Sequence, residues 1–225
     1  MINLKITFEM DGQGVMFSPS EPPHLDSLLA WTLARLKGMP MTDGAKDMPI
    51  QEMSLPLASI CCDGVRIWCA SAILPEGETS EEIIHWRKHF RIDRAEIMDG
   101  TPNTTNGKYK DWNFPCVMTL CNRMVAYCVA YERRNILHLL KKVTHIGKKA
   151  AHGHGKVCGL KVEAVDYDWS IVRDGVAMRY LPDHKNGWKL VRPRPPYWNT
   201  NDRTLCIVPG DRVDCDPRKF YQAID

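Results

Sequence analysis

Residues 132–156 read ERRNILHLLKKVTHIGKKAAHGHGK, a stretch that combines the chain's densest positive charge with a glycine-rich loop. It holds seven basic residues and one acid, Glu132, which gives a local net charge of +6, whereas the whole protein carries only +3. The remaining residues are therefore net acidic, so the positive charge is a local feature. A patch of this kind predicts a polyanionic partner.

The order of elements in this stretch is helix, glycine loop, strand. Apolar residues recur at helical spacing and predict a helix over 132–144, with Gly147 placed as its cap. Residues 147–155 form the loop, and residues 156–165 alternate like a strand. A P-loop has the reverse order, which puts phosphate at a helix N-terminus. Here lysines and glycine-nest amides would hold phosphate instead, which disfavours nucleotide hydrolysis.

A purely structural interpretation of the same loop stays open. Gly147 would then end the helix, Gly153 and Gly155 would make a turn, and the lysines would form a solvated rim.

Composition sets the broad class. At 225 residues with 44% apolar residues, the chain can bury one good core or two small ones. No run approaches about 18 apolar residues and the N-terminus lacks a signal-peptide pattern, so we expect a cytoplasmic protein without membrane contact. The nine cysteines offer no C-x2-C spacing, so no metal and no other cofactor is assigned, although a zinc site built from distant residues stays open.

The N-terminal third predicts a strand, a helix and a hairpin. Alternation of Ile2, Leu4, Ile6 and Phe8 indicates a half-buried strand. A leucine stripe predicts a helix over 24–38, where His24 and Asp26 resemble a catalytic pair although an acid at a helix start is more often a cap. Residues 39–55 are predicted to be a loop. Asp63-Gly64 between two apolar runs is a strong hairpin signal.

Residues 75–115 are interpreted as an inserted arm. Thr79-Ser80-Glu81-Glu82 resembles a capping box, so residues 83–91 are predicted to continue as a short helix or as an exposed arm. Residues 100–112 interleave basic and aromatic residues, which suits single-stranded nucleic acid. Alternatively, Trp86 and Trp112 anchor the insertion to the core. A loop this long inside a domain is usually functional or disordered.

Further strands follow the arm. Apolar runs at 116–121 and 124–131 predict a second strand pair, Asp174-Gly175 suggests another hairpin, residues 189–197 are extended and basic, and residues 205–209 form a last strand. The element order is that of an α+β, β-α-β-β-α-β ferredoxin-like or RRM-type fold. We expect residues 1–170 to form this core, arm included, and residues 171–225 to form a β-rich extension packed on it. The fold alone implies no function.

Residues 24–31, after the first strand, and 146–157, between the second helix and the fourth strand, resemble the RAMP superfamily of CRISPR-associated proteins. Together with Arg194-Pro195-Pro196-Tyr197-Trp198, the chain is most similar to the Cas-five-like subunit of type IV effector complexes. His154 stands where the family's terminal G-x-G loop usually has a large aromatic or aliphatic residue.

The resemblance implies a non-catalytic crRNA-binding subunit that grips the 5′ handle of the guide and caps the backbone, with the arm as a thumb. The implied partners are crRNA and the backbone and large, PAM-reading subunits, with target DNA nearby through the complex. The implied role is defence against viruses and plasmids. Reading of the target sequence would belong to the guide.

The expected RNA-binding residues lie in the glycine loop, the arm and the start of the second helix: Gly147, Lys148, Lys149, His152, Gly153, His154, Gly155, Lys156, Arg87, Lys88, Arg91, Lys108, Tyr109, Lys110, Trp112, Arg133 and Arg134. Lys148, Lys149 and Lys156, with the amides of Gly153 and Gly155, would hold phosphates. Bases would stack on Trp86, Tyr109 or Trp112, with His152 or His154 at base edges.

Two other functions remain open from the sequence. One is a metal-independent endoribonuclease that cuts the CRISPR repeat, in which His145, His152 or His154 acts as general base beside Lys148. The resemblance argues against it, because it implies a separate processing subunit. The other is a ferredoxin-like interaction module that binds no RNA.

Overall fold

The computed structural model describes residues 1–18, 20–39, 53–90, 103–214 and 222–223, and it has an α+β architecture. Its two α-helices are α1 (Leu25–Leu36) and α2 (Arg133–Leu140), and short 3-10 turns lie at Gly107–Tyr109 and Ala150–His152. In chain order the strands are β1 (Ile2–Met10), β2 (Val15–Met16), β3 (Ser59–Cys62), β4 (Val65–Trp68), β5 (Leu74–Pro75), β6 (Thr79–Lys88), β7 (Trp112–Cys121), β8 (Arg123–Ala130), β9 (Val157–Ala164), β10 (Val172–Arg173), β11 (Val176–Ala177), β12 (Leu181–Pro182), β13 (Lys189–Val191), β14 (Thr204–Ile207) and β15 (Gln222–Ala223).

The central sheet has four strands in the order β5-β8-β1-β9, and every neighbouring pair is antiparallel. Strand β1 runs between β8 and β9, with Ile2 opposite Ala130 and Leu4 opposite Ala164. Its alternating residues Leu4, Ile6 and Phe8 are fully buried in the main core, as the sequence predicted. Period-two burial of this kind is what fixes the register of a strand, because a shift of one residue would expose the whole apolar set.

Both predicted helices are present, and both are shorter than predicted. In α1 the leucine stripe is buried at Leu25 and Leu29 but is 49% exposed at Leu36, so only the first part of the helix packs on the sheet. Helix α2 ends at Leu140, several residues before Gly147. The amides of Lys142 and Val143 then bond to carbonyls three residues back, which tightens and ends the helix.

The Asp63-Gly64 hairpin is confirmed, but its place in the fold differs from the expected one. Both turn residues have positive φ, 48° and 77°, as a two-residue hairpin turn requires. Its strands β3 and β4 pair with each other in a separate sheet, where β15 adds to β3, whereas the central sheet continues from β1 to β8 and then to β5. Strand β8 is buried over seven consecutive residues, which suits a central strand better than the half-exposed hairpin does.

The arm is an antiparallel hairpin, and the capping-box interpretation of Thr79–Glu82 was wrong. Strands β6 and β7 pair along all ten residues, from Thr79 opposite Cys121 to Lys88 opposite Trp112, and β2 adds to the other edge of β7. Ile83, Ile84 and Trp86 favour the extended state through cross-strand pairs with β7, which outweighs the local capping signal.

The arm strands continue from strands of the central sheet. Strand β7 passes into β8 through the single residue Asn122, and β5 leads into β6 after three residues. Leu74 pairs with Val125 in the sheet, and Thr79 pairs with Cys121 at the base of the arm. The arm is therefore built on the β5–β8 pair and is joined to the sheet on both strands.

Residues 171–214 are rich in short strands. The hairpin at Asp174-Gly175 is confirmed as β10 and β11, and the predicted last strand is β14, which lies between β12 and β13. A second core joins the β3–β4 hairpin to this region and includes Ile60, Ile67, Ile171 and Leu181. The division of the chain after residue 170 remains a prediction. Among the described residues, no helix is both long enough and apolar enough to cross a membrane.

A candidate nucleic-acid interface

The glycine loop, residues 147–155, lies against β2 at the foot of the arm. The Lys148 amide donates to the Met16 carbonyl over 2.7 Å, and the Gly155 amide donates to the Gly14 carbonyl over 2.9 Å. Between these two bonds the chain makes a 3-10 turn at Ala150–His152, which Lys149 enters with a left-handed φ of 64°. The loop backbone is thus held at both ends while its middle projects outward.

Two glycines of the loop are required by close packing. A Cβ on Gly147 would lie 2.6 Å from the Met16 carbonyl oxygen, and one on Gly155 would overlap the carbonyl oxygen of Ile146. Both residues also have positive φ, 90° and 71°, which disfavours any side chain. Gly147 therefore allows the loop to dock on β2, and Gly155 allows its two ends to approach each other, roles the sequence alone did not separate from ligand binding.

The Gly153 and Gly155 amides, which the sequence suggested as phosphate donors, already donate to backbone carbonyls in this structure. Gly153 donates to the Ala150 carbonyl over 3.0 Å, and Gly155 donates to the Gly14 carbonyl. Because each amide has one hydrogen, neither is left for a ligand. Cationic side chains remain the loop's means of holding an anion: Lys148 and Lys156 are exposed, and Lys149 is half-buried.

The structure brings the arm to the loop at one point. The Nζ of Lys149 lies 4.4 Å from the centroid of the Trp86 ring, and the His152 ring meets Trp86 edge-on with centroids 4.4 Å apart. A cation over an indole face is attracted by the ring's quadrupole. Trp86, Lys149 and His152, hereafter the junction, join two regions that the sequence predicted separately.

The other arm residues lie toward its far end. Lys88 donates to the Lys108 carbonyl over 2.6 Å, and the Tyr109 ring packs against Phe90 at 5.4 Å between centroids. Arg87, Lys110 and Trp112 are exposed. The contacts of the described residues place this group along the arm and do not join it to the loop. Arg91 lies outside the described residues.

The first residues of α2 and the histidines of the basic stretch each make their own contacts. Arg133 is exposed, and the Nε of Arg134 bonds to Glu132 over 2.6 Å. His145 contacts the Thr144 hydroxyl at 3.0 Å, whereas the Nδ1 of His154 is buried without a partner among the described residues. His145 lines the same groove as Lys148, described below, whereas His152 belongs to the junction.

A wide groove opens beside the loop. It has a volume of about 1320 Å³ and lies between α1, the loop and residues 192–199. Its lining includes five cations, Arg35, Arg66, Lys148, Arg192 and Arg194, and three indoles, Trp31, Trp68 and Trp198. Among the described lining residues, Glu21 is the acidic one. Sequence reasoning missed most of this set, although Trp31 and Arg35, spaced i and i+4 on α1, were a usable signal.

Residues 192–199 are held in place by a buried network under α1. Arg179 and Asp26 are both fully buried and pair at 3.2 Å, and the Tyr197 hydroxyl donates to Asp26 over 2.9 Å. Arg179 also donates to the carbonyls of Pro193, over 2.6 Å, and of Trp68. Burial raises the pKa of the Asp26 carboxyl, and Arg179 and Tyr197 act against that rise.

This network replaces both interpretations of His24 and Asp26. Asp26 does bond to the Ser27 amide over 2.8 Å, but its other contacts are with Arg179 and Tyr197. His24 is stacked between Tyr180 and Tyr197 at 4.8 and 4.5 Å, and burial, with Arg179 nearby, lowers its pKa well below the usual value. Both side chains are buried, and neither ring nitrogen of His24 has a hydrogen-bond partner among the described residues, so the two do not bond to each other.

The described residues hold no cluster of three or more His, Cys, Asp or Glu placed to bind a metal. Their eight cysteines form no disulfide bond with one another.

Together, these observations define the chain as an α+β protein whose basic loop meets a hairpin arm beside a cationic, aromatic groove. The family model for CRISPR type IV associated protein Csf3 matches residues 3–101 and 85–209. The chain therefore belongs to this family, which confirms the type IV, Cas-five-like resemblance and implies membership in a multi-subunit complex. No curated protein matches the chain.

Proposed function

We propose that this chain is a non-catalytic crRNA-binding subunit of a type IV CRISPR effector complex, where it grips the 5′ handle of the guide and caps the backbone of the complex. The observation that carries the proposal is the junction, which sets Lys149 and His152 of the loop against Trp86 of the arm. Beside it, Lys148, Arg35 and Arg66 line the groove and add positive charge.

In this proposal, charge and ring contacts have separate tasks. The lysines of the loop bind phosphates, which gives affinity without reading sequence. Reading the handle requires bases that are turned out of a stack and held on aromatic faces. Trp86 at the junction and Tyr109 and Trp112 along the arm provide such faces, and His152 lies close enough to Trp86 to reach the edge of a base stacked there.

We further propose that the core is a ferredoxin-like, RRM-type sheet of the RAMP superfamily. The supporting observation is the sheet order: β1, β5, β8 and β9, taken as the first to fourth core strands, lie in the order 4-1-3-2 with antiparallel neighbours, and α1 and α2 fall after the first and third of them. This is the arrangement of the split β-α-β motif. The arm then replaces the tight turn between the second and third strands.

The test is a binding and cleavage assay with labelled CRISPR-repeat RNA in EDTA. We expect binding that weakens steeply with salt, because each phosphate contact on a single strand contributes about 0.7 to the slope of log K against log salt. Lys148→Ala/Lys149→Ala should lower that slope by about 1.4. The charge-matched control Lys185→Ala/Arg203→Ala alters two exposed cations outside the groove and should leave the slope unchanged.

Each outcome decides between functions. An unchanged salt slope in the loop variant would show that these lysines do not contact RNA. If the wild-type chain did not bind RNA, the interaction module that binds no RNA would be the favoured function. A specific product in EDTA would establish the endoribonuclease in place of the cap.

A further inference from the structure

The lining of the groove includes two stacked Arg–Trp pairs and a third indole. The guanidinium carbon of Arg35 lies 4.8 Å from the Trp31 ring centroid on α1, and that of Arg66 lies 4.9 Å from the Trp68 ring on β4. Both pairs line the groove, together with Trp198 from the C-terminal segment. We call Trp31, Arg35, Arg66, Trp68 and Trp198 the stacking wall.

The stacking wall is accessible to a ligand. Trp31 is 40% exposed and Trp198 is 47% exposed, so part of each ring is free to take a partner. In the part of the chain that the structure describes, no acidic side chain pairs with Arg35 or Arg66, so their charge is not cancelled locally. The groove volume of about 1320 Å³ exceeds the roughly 300–1,000 Å³ of a small-ligand pocket.

The wall is also held in a fixed position. Arg179 binds the Pro193 carbonyl and Tyr197, and Tyr197 binds Asp26 at the start of α1, so the segment that carries Trp198 is tied to the helix that carries Trp31. Indole faces held in place before binding lose little freedom when a flat ring stacks on them.

We propose that the stacking wall binds unpaired nucleobases, so that the groove takes single-stranded nucleic acid with its bases toward the wall and its phosphates toward Lys148. Indoles next to uncancelled cations suit a ligand that combines flat rings with negative charge. In a duplex the base faces are covered by neighbouring base pairs, so a double helix cannot stack here. This inference rests on the proposed RNA-binding function, and it adds a second place, the stacking wall, at which unpaired bases bind.

The experiment measures binding of the full chain to two fluorescent probes: a single-stranded oligouridylate and an abasic ribose-phosphate strand of the same length. Trp31→Ala and Trp198→Ala are compared with Trp188→Ala, because Trp188 is 63% exposed but does not line the groove. Trp31→Phe keeps an aromatic face and guards against loss caused by misfolding.

We expect each wall variant to bind oligouridylate about 5- to 150-fold more weakly, which is the stacking contribution of one base to an aromatic ring. Trp188→Ala and Trp31→Phe should remain within about threefold of the wild type. The salt slope should not change, because no charge is lost. On the abasic strand the wall variants should match the wild type, and pairing the probe with its complement should abolish the dependence on Trp31.

Equal binding of oligouridylate by Trp31→Ala, Trp198→Ala and Trp188→Ala would overturn the inference. So would equal losses on the oligouridylate and abasic probes. If Lys148→Ala/Lys149→Ala still lowered the salt slope in that case, the proposed RNA-binding function would stand without the wall. If the wild-type chain bound neither repeat RNA nor oligouridylate, the proposed function would fail, and the inference would fail with it.

Discussion

The buried network under α1 and the junction of arm and loop both set a cation among aromatic side chains, but they differ in their access to water. In the network, Arg179 and Asp26 are fully buried and paired, and Tyr197 bonds to both. At the junction, Lys149 is half-buried over Trp86, and no carboxylate among the described residues pairs with it. The first cation is neutralised inside the protein, whereas the second keeps its charge available at the surface.

This difference shows that the role of a cation follows from its surroundings more than from its residue type. A buried charge must be paired, so removing its partner is costly, whereas a surface cation contributes little to stability and can serve a ligand. We therefore expect the network to govern folding and the junction to govern binding. Four measurements test this division.

The largest effect is expected from Arg179→Met. This change leaves the Asp26 carboxyl buried without its cation and should lower the free energy of unfolding by about 3–5 kcal/mol, measured by urea denaturation. Asp26→Asn combined with Arg179→Met should recover part of the loss, because the buried charge is then gone. A loss below about 1 kcal/mol in the single variant would show that the network is not a main support of the fold.

The next effect concerns the loop backbone and uses a matched pair of glycines. Gly155→Ala forces a Cβ onto the Ile146 carbonyl, whereas Gly12→Ala has a similar φ, 81° against 71°, with no atom within 4 Å of the new Cβ. Both variants carry the strain of a positive φ. The difference between their free energies of unfolding therefore measures only the clash of the new Cβ with the Ile146 carbonyl. We expect Gly155→Ala to be less stable than Gly12→Ala by about 1–3 kcal/mol. Equal losses would mean that the loop moves away from Ile146 at little cost.

The third effect is a dependence on pH that arises from His24. Its folded-state pKa is lowered by burial and by Arg179, whereas the unfolded chain binds a proton near pH 6.5. The contribution of neutral His24 to the free energy of unfolding is therefore complete above that pH. It is lost as the pH falls, by at most about 1.4 kcal/mol per pH unit. His24→Phe should remove this loss between pH 7 and 5, whereas His138→Phe, on an exposed position of α2, should retain it. Identical profiles for wild type and His24→Phe would contradict the assignment.

The smallest effect is expected at the junction. Lys149→Met removes one cation–π contact and should change the free energy of unfolding by no more than about 1 kcal/mol. The same variant should weaken RNA binding and reduce the salt slope by about 0.7. A large loss of stability in this variant, with RNA binding intact, would show that the junction supports folding and not binding.

The parts of the fold that depend on local pattern could be predicted from the sequence. The alternation of Ile2, Leu4, Ile6 and Phe8 gave β1, and Asp63-Gly64 gave its hairpin, because both depend on neighbouring residues. The partners of a strand depend on contacts between residues far apart in the chain, so the sequence placed the β3–β4 hairpin in the wrong sheet. At Thr79–Glu82, pairing with β7 overcame a local helix signal.

The candidate site divides in the same way. The basic loop was visible because charge and glycine are local features of the sequence. The groove was not, because Arg66, Lys148 and Trp198 come from separate parts of the chain and meet only through folding. Arg179 carried no sequence signal at all, since nothing in its neighbourhood distinguishes a buried arginine from a solvated one.

The direct passage of β7 into β8 through Asn122 has a mechanical consequence. A hairpin on a flexible linker can move without disturbing the domain that carries it. This hairpin, by contrast, continues directly into a strand of the central sheet. Force applied at its far end would be transmitted along β7 into a strand that touches both β1 and β5. Bending of the hairpin by a neighbouring molecule would therefore displace β8 and strain the central sheet.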